Sequence, residues 1–177
     1  MDTFDCAAAA LLSCRAVLRR LTPDDLPQPT PCAEYAVADV GQHLLRSMSL
    51  LASVAGQQAG PPEAGTLEDQ VAVTAQTALA AWRHRGLAGS VAVGRTITPA
   101  HLAAEIIPLE LVVHGWDLAA ATGTKMEVSA EVAQHVLGCA RELITADKRG
   151  RSFAAEVPAG PAATALQRLV AFTGREP

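Results

Sequence analysis

Aromatic side chains are scarce, at 3% of the 177 residues. A core without them has to be built from small groups, and here the supply is Ala, Leu and Val. Ala is the strongest helix former and lets helix backbones approach closely. Alternating runs of Val, Ile and Thr are missing too, which argues against a sheet-based core. The chain reads as all-α. No apolar run approaches the roughly 20 residues that a membrane span requires. An excess of basic charge is also lacking. The formal net charge of −4 speaks against a nucleic-acid binder, which needs a basic face to displace counterions from phosphates. Arg outnumbers Lys 12 to 2, and Arg19–Arg20 and Arg149–Gly150–Arg151 read as helix-end or loop charges. That Arg and Ala bias suggests a GC-rich genome. The opening Met1-Asp2-Thr3-Phe4-Asp5 is acidic where a signal peptide is basic, so the expected location is cytoplasmic.

The four cysteines, Cys6, Cys14, Cys32 and Cys139, form no C-x-x-C pair, and a domain of this size needs no disulfide staples. Cys14 and Cys139 fall in phase with apolar helix positions and read as small buried hydrophobes. Cys32 lies in a loop, where a reactive thiol is the weaker reading. No Ser-His-Asp order, nucleophile elbow, phosphate loop or dinucleotide fingerprint is visible. The length suits one domain, residues 1–177.

Apolar spacing then sets out the helices. Phe4, Ala7, Leu11, Cys14, Leu18 and Leu21 mark one face of a first helix. Pro23, Pro27, Pro29 and Pro31 impose an extended connection. Val37, Val40, Leu44, Leu51 and Val54 mark a second helix that ends before Gly56. Thr66-Leu67-Glu68-Asp69 is a capped start, for a third helix that runs to about Arg85. Residues 87–97 form a loop with room for a short extended piece. Thr98-Pro99 is expected to open the fourth helix, with Thr as cap and Pro at the first helical position. Its apolar line is Leu102, Ile106, Leu109, Val113, Trp116 and Ala120, and Pro108 should kink it. Ser129 caps a fifth helix to about Ala146, and residues 161–174 allow a short sixth. Four substantial helices with smaller ones point to a bundle.

The fourth helix holds the pattern with most chemical content. Glu110, His114 and Asp117 are spaced i, i+4 and i+7, a polar line beside the apolar one. Burying a carboxylate and an imidazole is costly unless they share a metal, a proton or a charge partner. A Glu–His hydrogen bond gives the same spacing as a metal pair, so spacing alone leaves both open. His43, between Val40 and Leu44 on the flank of the second helix, adds a third N/O ligand. Three protein ligands with an open fourth position is the composition of a catalytic zinc site, and the two-His, one-carboxylate set also suits Fe(II). His84 reads as a charged or solvated residue at a helix end, and His101 lies in the first turn of the fourth helix, more than two turns from Glu110. His135 is expected to be a boundary residue with no acidic partner at metal spacing.

At His43 and at Glu110-Leu-Val-Val-His114-Gly-Trp-Asp117-Leu-Ala-Ala-Ala-Thr-Gly123 the sequence resembles a known family. It is similar to the metal-binding domain of mycothiol-dependent maleylpyruvate isomerases, a branch of the DinB/YfiT-like superfamily common in actinobacteria. Pro29-Thr30-Pro31-Cys32 followed by Val37, Ala81-Trp82, and the closing Leu166-x-x-Leu169-Val170-Ala171-Phe172-x-Gly174-Arg175-Glu176-Pro177 agree with it. The resemblance implies a DinB-like four-helix bundle with one long crossover. It implies a divalent metal (zinc first, nickel or iron as alternatives) on His43, Glu110 and His114. It also suggests the low-molecular-weight thiol mycothiol as a cosubstrate.

Two departures stand out. Full isomerases carry a second, C-terminal domain, whereas the expectation here is a stand-alone member without one, and Tyr35 stands where another aromatic usually follows Cys32. The expected activity is therefore that of a metal-dependent isomerase or thiol transferase acting on a small electrophile. A non-catalytic metal and ligand-binding module, or a thiol-independent tailoring enzyme of secondary metabolism, are the competing readings. Asp117 is expected to orient an imidazole or bind an Arg beside the metal. Trp116 is expected to pack in the core, and a monomer or homodimer is equally compatible.

Overall fold

Asp2 starts the first helix by accepting hydrogen bonds from the backbone N–H groups of Phe4 and Asp5, which satisfies two of the helix's orphan donors. In the computed structural model, which describes residues 1–58, 60–150 and 153–177, this helix, α1, spans Thr3–Leu18. It is followed by α2 (Val37–Val54) and α3 (Leu67–Arg85). The cap on α3 is reciprocal: Thr66 Oγ1 accepts from the Asp69 N–H at 3.1 Å, and Asp69 accepts from the Thr66 N–H at 3.0 Å. Two short antiparallel strands, β1 (Ser90–Val93) and β2 (Thr96–Pro99), come next, with Val91 opposite Thr98. The chain continues through α4 (Ala100–Ala104), α5 (Ile106–Ala121), α6 (Ala130–Leu143) and α7 (Ala165–Phe172). Arg151, one of the charges singled out in the sequence, lies outside the described residues.

α1 packs against α3 and α5, and α2 packs against the same two helices. These four helices make a DinB-like bundle in which α1 and α2 sit at opposite corners. The connection 19–36 therefore crosses the bundle. It is pinned by a 3₁₀ turn at Pro23–Asp25 and by pairing of Pro29 with Ala36. α6 and α7 add a further layer against α5. Trp82 is fully buried and donates from Nε1 to the Leu51 carbonyl at 3.0 Å, which ties α3 to α2. No helix among the described residues is long and apolar enough to cross a membrane.

Two sequence expectations change here. Thr98 and Pro99 belong to β2, not to a helix start, and helix begins only at Ala100. The long fourth helix is also two helices broken at Glu105, three residues before Pro108. Proline lacks the N–H that would bond the carbonyl four residues back and its ring crowds that turn, so the break falls just upstream of Pro108.

The apolar line drawn along α5 is similarly off. Leu102, Ile106 and Trp116 are half-buried and Ala120 is exposed, while Ile107, Leu111, Val112 and Leu118 are fully enclosed. α5 is covered on several sides by α1, α2, α6 and α7. A helix buried all round has no single apolar face for periodicity to reveal.

Candidate metal centre

α5 supplies two of the chemically active side chains and α2 supplies the third. Glu110 and His114 are one turn apart on α5, and His43 faces them from α2. The His43 Nε2 lies 2.9 Å from Glu110 Oε2, and the His114 Nε2 lies 3.8 Å from the same oxygen. The two imidazoles meet edge to face with ring centroids 4.7 Å apart. One ligand atom from each of His43, Glu110 and His114 lies within 4.8 Å of the others. All three side chains line a cavity of about 800 Å³.

Asp117 sits behind this group, with no exposure at all. Its Oδ2 is 2.9 Å from His114 Nδ1. In the neutral imidazole that a metal would require, a hydrogen bond there holds the proton on Nδ1 and turns the Nε2 lone pair toward Glu110. Arg175, from the segment after α7, grips the same carboxylate through Nε and Nη2. Its Nη1 donates to the Thr173 carbonyl at 3.0 Å. Asp117 therefore contacts both an imidazole and an arginine. The sequence offers no local sign of the second partner, because Arg175 is 58 residues away.

The electrostatics keep both carboxylates ionised. Burial pushes the Glu110 carboxyl up, but the hydrogen bond from His43 and the positive charges of His114 and His43 outweigh it and hold the group at about 2. Burial likewise raises Asp117, and the hydrogen bonds from His114 and Arg175 then bring it below the ordinary carboxylate value. Cys32 lines the cavity near His114 and Asp117. Burial pushes its thiol up, against the opposing Arg175 charge. A protonated thiol is a poor nucleophile, in keeping with the sequence reading of Cys32.

Cys32, His114 and Asp117 also lie close enough to be read as a ligand set. The guanidinium of Arg175 already occupies both oxygens of Asp117 and would repel a cation there. The donor set His43, Glu110 and His114 fits a divalent ion better: it is one permanent anion and two imidazoles, opening onto space that a further ligand can fill. The wall of the cavity includes Tyr35 and Lys148, neither of which the sequence spacing singled out. It also includes Glu34, whose φ of 69° puts a non-glycine residue in the left-handed region. Such strain is common where a loop is shaped around a site. Trp116 does not line it. His84 is exposed, as expected, and so is His101. His135 is a correction: it does have an acidic partner, Glu105, at 3.0 Å.

A bundle of this topology, with α2 and α5 turning a His and a Glu–His pair into one open cavity, defines an all-α protein of the DinB-like class. The chain belongs to the family of the mycothiol maleylpyruvate isomerase N-terminal domain, whose profile matches residues 7–119, well over half of its length. Two uncharacterized proteins of Mycobacterium tuberculosis, from strains CDC 1551 / Oshkosh and ATCC 25618 / H37Rv, are similar over nearly the whole chain. Each is 29% identical over 168 residues, covering 90% of this chain and 90% of the relative. No solved structure matches the chain.

Proposed function

We propose that the protein is a metal-dependent enzyme of the thiol-using isomerase–transferase type, acting on a small electrophilic substrate. His43, Glu110 and His114 hold one divalent metal, zinc by preference, with nickel or iron as alternatives for the same donors. The observation that carries this reading is the convergence of the three ligand atoms within 4.8 Å at the wall of an 800 Å³ cavity. When bound, such an ion supplies Lewis acidity that makes a thiol or water acidic enough to react as its anion at neutral pH.

The chain's own residues have separable tasks. Glu110 stays ionised and offsets the charge of the ion. Asp117 fixes the tautomer and the orientation of His114. Arg175 balances the charge of Asp117, so that this carboxylate does not compete as a ligand. The cavity wall pairs apolar Ile106, Leu109 and Phe153 with the cationic Lys148, whose Nζ is tethered to the Leu143 carbonyl. A small organic molecule with one polar end fits such a lining. Membership of a family named for mycothiol makes that thiol the first cosubstrate to try.

Metal analysis of the purified protein and of His43→Ala and His114→Ala tests the centre. Each variant should hold one equivalent fewer than the unchanged chain. Equal metal content in all three would overturn the assignment. Turnover of a panel of electrophiles, with and without a small thiol, then tests catalysis. Saturable binding without product would make the protein a metal-containing ligand carrier.

A further inference from the structure

Away from the cavity, three further metal-binding side chains meet where the α4–α5 break approaches α6. Glu105 occupies the break itself and is 5% exposed. His135 and Cys139 lie four residues apart on α6, so both project from one face. One ligand atom from each of Glu105, His135 and Cys139 lies within 4.8 Å of the others. None of the three lines the cavity around Glu110.

The Glu105 carboxylate accepts from Thr3 Oγ1 at 2.6 Å and lies 3.0 Å from His135 Nε2 through both its oxygens. The Cys139 thiol is hydrogen-bonded to the same carboxylate. Burial first, then the negative charge of Glu105 and that hydrogen bond, push it up to about 12. Cys6, fully buried on α1, lies near both, and burial and the Glu105 charge push it up to about 12 as well. Glu105, His135 and Cys139 thus offer one oxygen, one nitrogen and one sulfur donor at a single point, and cation binding there would release the thiol proton.

We propose that Glu105, His135 and Cys139 form a second metal site, selective for a borderline-soft divalent ion such as zinc. One sulfur, one nitrogen and one oxygen donor suit zinc and disfavour magnesium or calcium, which take oxygen ligands. Tetrahedral zinc bonds of about 2.0–2.3 Å set neighbouring ligand atoms roughly 3.3–3.6 Å apart. Of the present spacings, the 3.0 Å between Glu105 and His135 would have to open slightly to reach that range, and the whole set lies within 4.8 Å. Such an ion would fasten the α4–α5 break to α6, and so hold the start of the helix that carries Glu110 and His114.

Cobalt(II) titration of the reduced, metal-free protein separates this site from the His43 centre. Thiolate bound to cobalt absorbs in the near ultraviolet, and the His43, Glu110 and His114 set contains no sulfur. The band should appear in the unchanged chain and persist in His43→Ala and in Cys32→Ser. It should be lost in Cys139→Ser and in His135→Gln, and zinc should displace it. His135→Gln keeps every thiol, so it reports on the site even where Cys139→Ser fails to fold. No band in the unchanged chain, or a band that survives Cys139→Ser and His135→Gln but vanishes in Cys32→Ser, overturns the proposal. Neither result would bear on the His43 centre, whose metal is counted separately.

Discussion

Arg175 holds Asp117 through two parallel hydrogen bonds, Nε to Oδ1 at 3.1 Å and Nη2 to Oδ2 at 2.9 Å. Both side chains are buried, at 7% and 0% exposure. Removing one partner of such a pair leaves the other charge uncompensated in a poorly solvated place. Arg175→Met should therefore destabilise the protein by about 3–5 kcal/mol. Urea denaturation measures the loss, and an unchanged midpoint would refute it.

Asp117→Asn asks a different question of the same carboxylate. Asn keeps the shape, but its amide can donate to His114 Nδ1, which moves the ring proton to Nε2 and blocks the lone pair. Metal affinity at the His43 centre should fall about 10–100-fold. Competition against a chromogenic chelator gives the number. Affinity equal to that of the unchanged chain would show that Asp117 does not set the tautomer.

Glu110 gives a pH signature whose sign is fixed by its environment. Its folded value of about 2 lies below the ordinary 4.5. The ionised form is thus favoured by folding, and the stabilisation is present above pH 4.5 and lost as pH falls through about 2. Metal-free protein should lose thermal stability steadily on acidification through that window. Glu110→Gln should show a shallower acid limb, and parallel curves for the two proteins would contradict the charge argument.

Gly174, beside Arg175, has φ of +88°, and a Cβ there would come within 2.6 Å of the Ala154 Cβ and 3.0 Å of its backbone. Strain and overlap act together, so Gly174→Ala should cost about 1–3 kcal/mol. It should also weaken metal binding, since Arg175 would be displaced from Asp117. Calorimetric melting and the chelator assay check the two effects.

Most of the fold was legible in the sequence. Caps at Thr66 and Ser129 and the three-and-four spacing of α1 and α2 depend on neighbours a few residues apart. The interior of α5 was harder, because a helix enclosed on several sides loses its periodic signature: Ala120 was placed too deep, while Trp116 packs against the core as a half-buried residue. The meeting of His43, Glu110 and His114, the ligands proposed here, was open to the sequence because α5 sets the i, i+4 pair and His43 lies on the flank of the apolar face of α2. Arg175 and the Glu105–His135 contact were out of reach. Both join segments that only the folded chain brings together, and Glu105 is exposed to α6 by a break that Pro108 causes from three residues away.

The run from His114 through Asp117 to Arg175 also works in reverse. Whatever docks the segment 173–175 raises the affinity of His114 for an ion, so an ion on His114 must hold that segment down by the same factor. Backbone amides of Thr173 and Arg175, bonded to Leu169 and Val170, should thus exchange with solvent more slowly when metal is bound. An ion at the proposed centre would in this way be reported by a segment far off in sequence, through a single carboxylate that solvent does not reach.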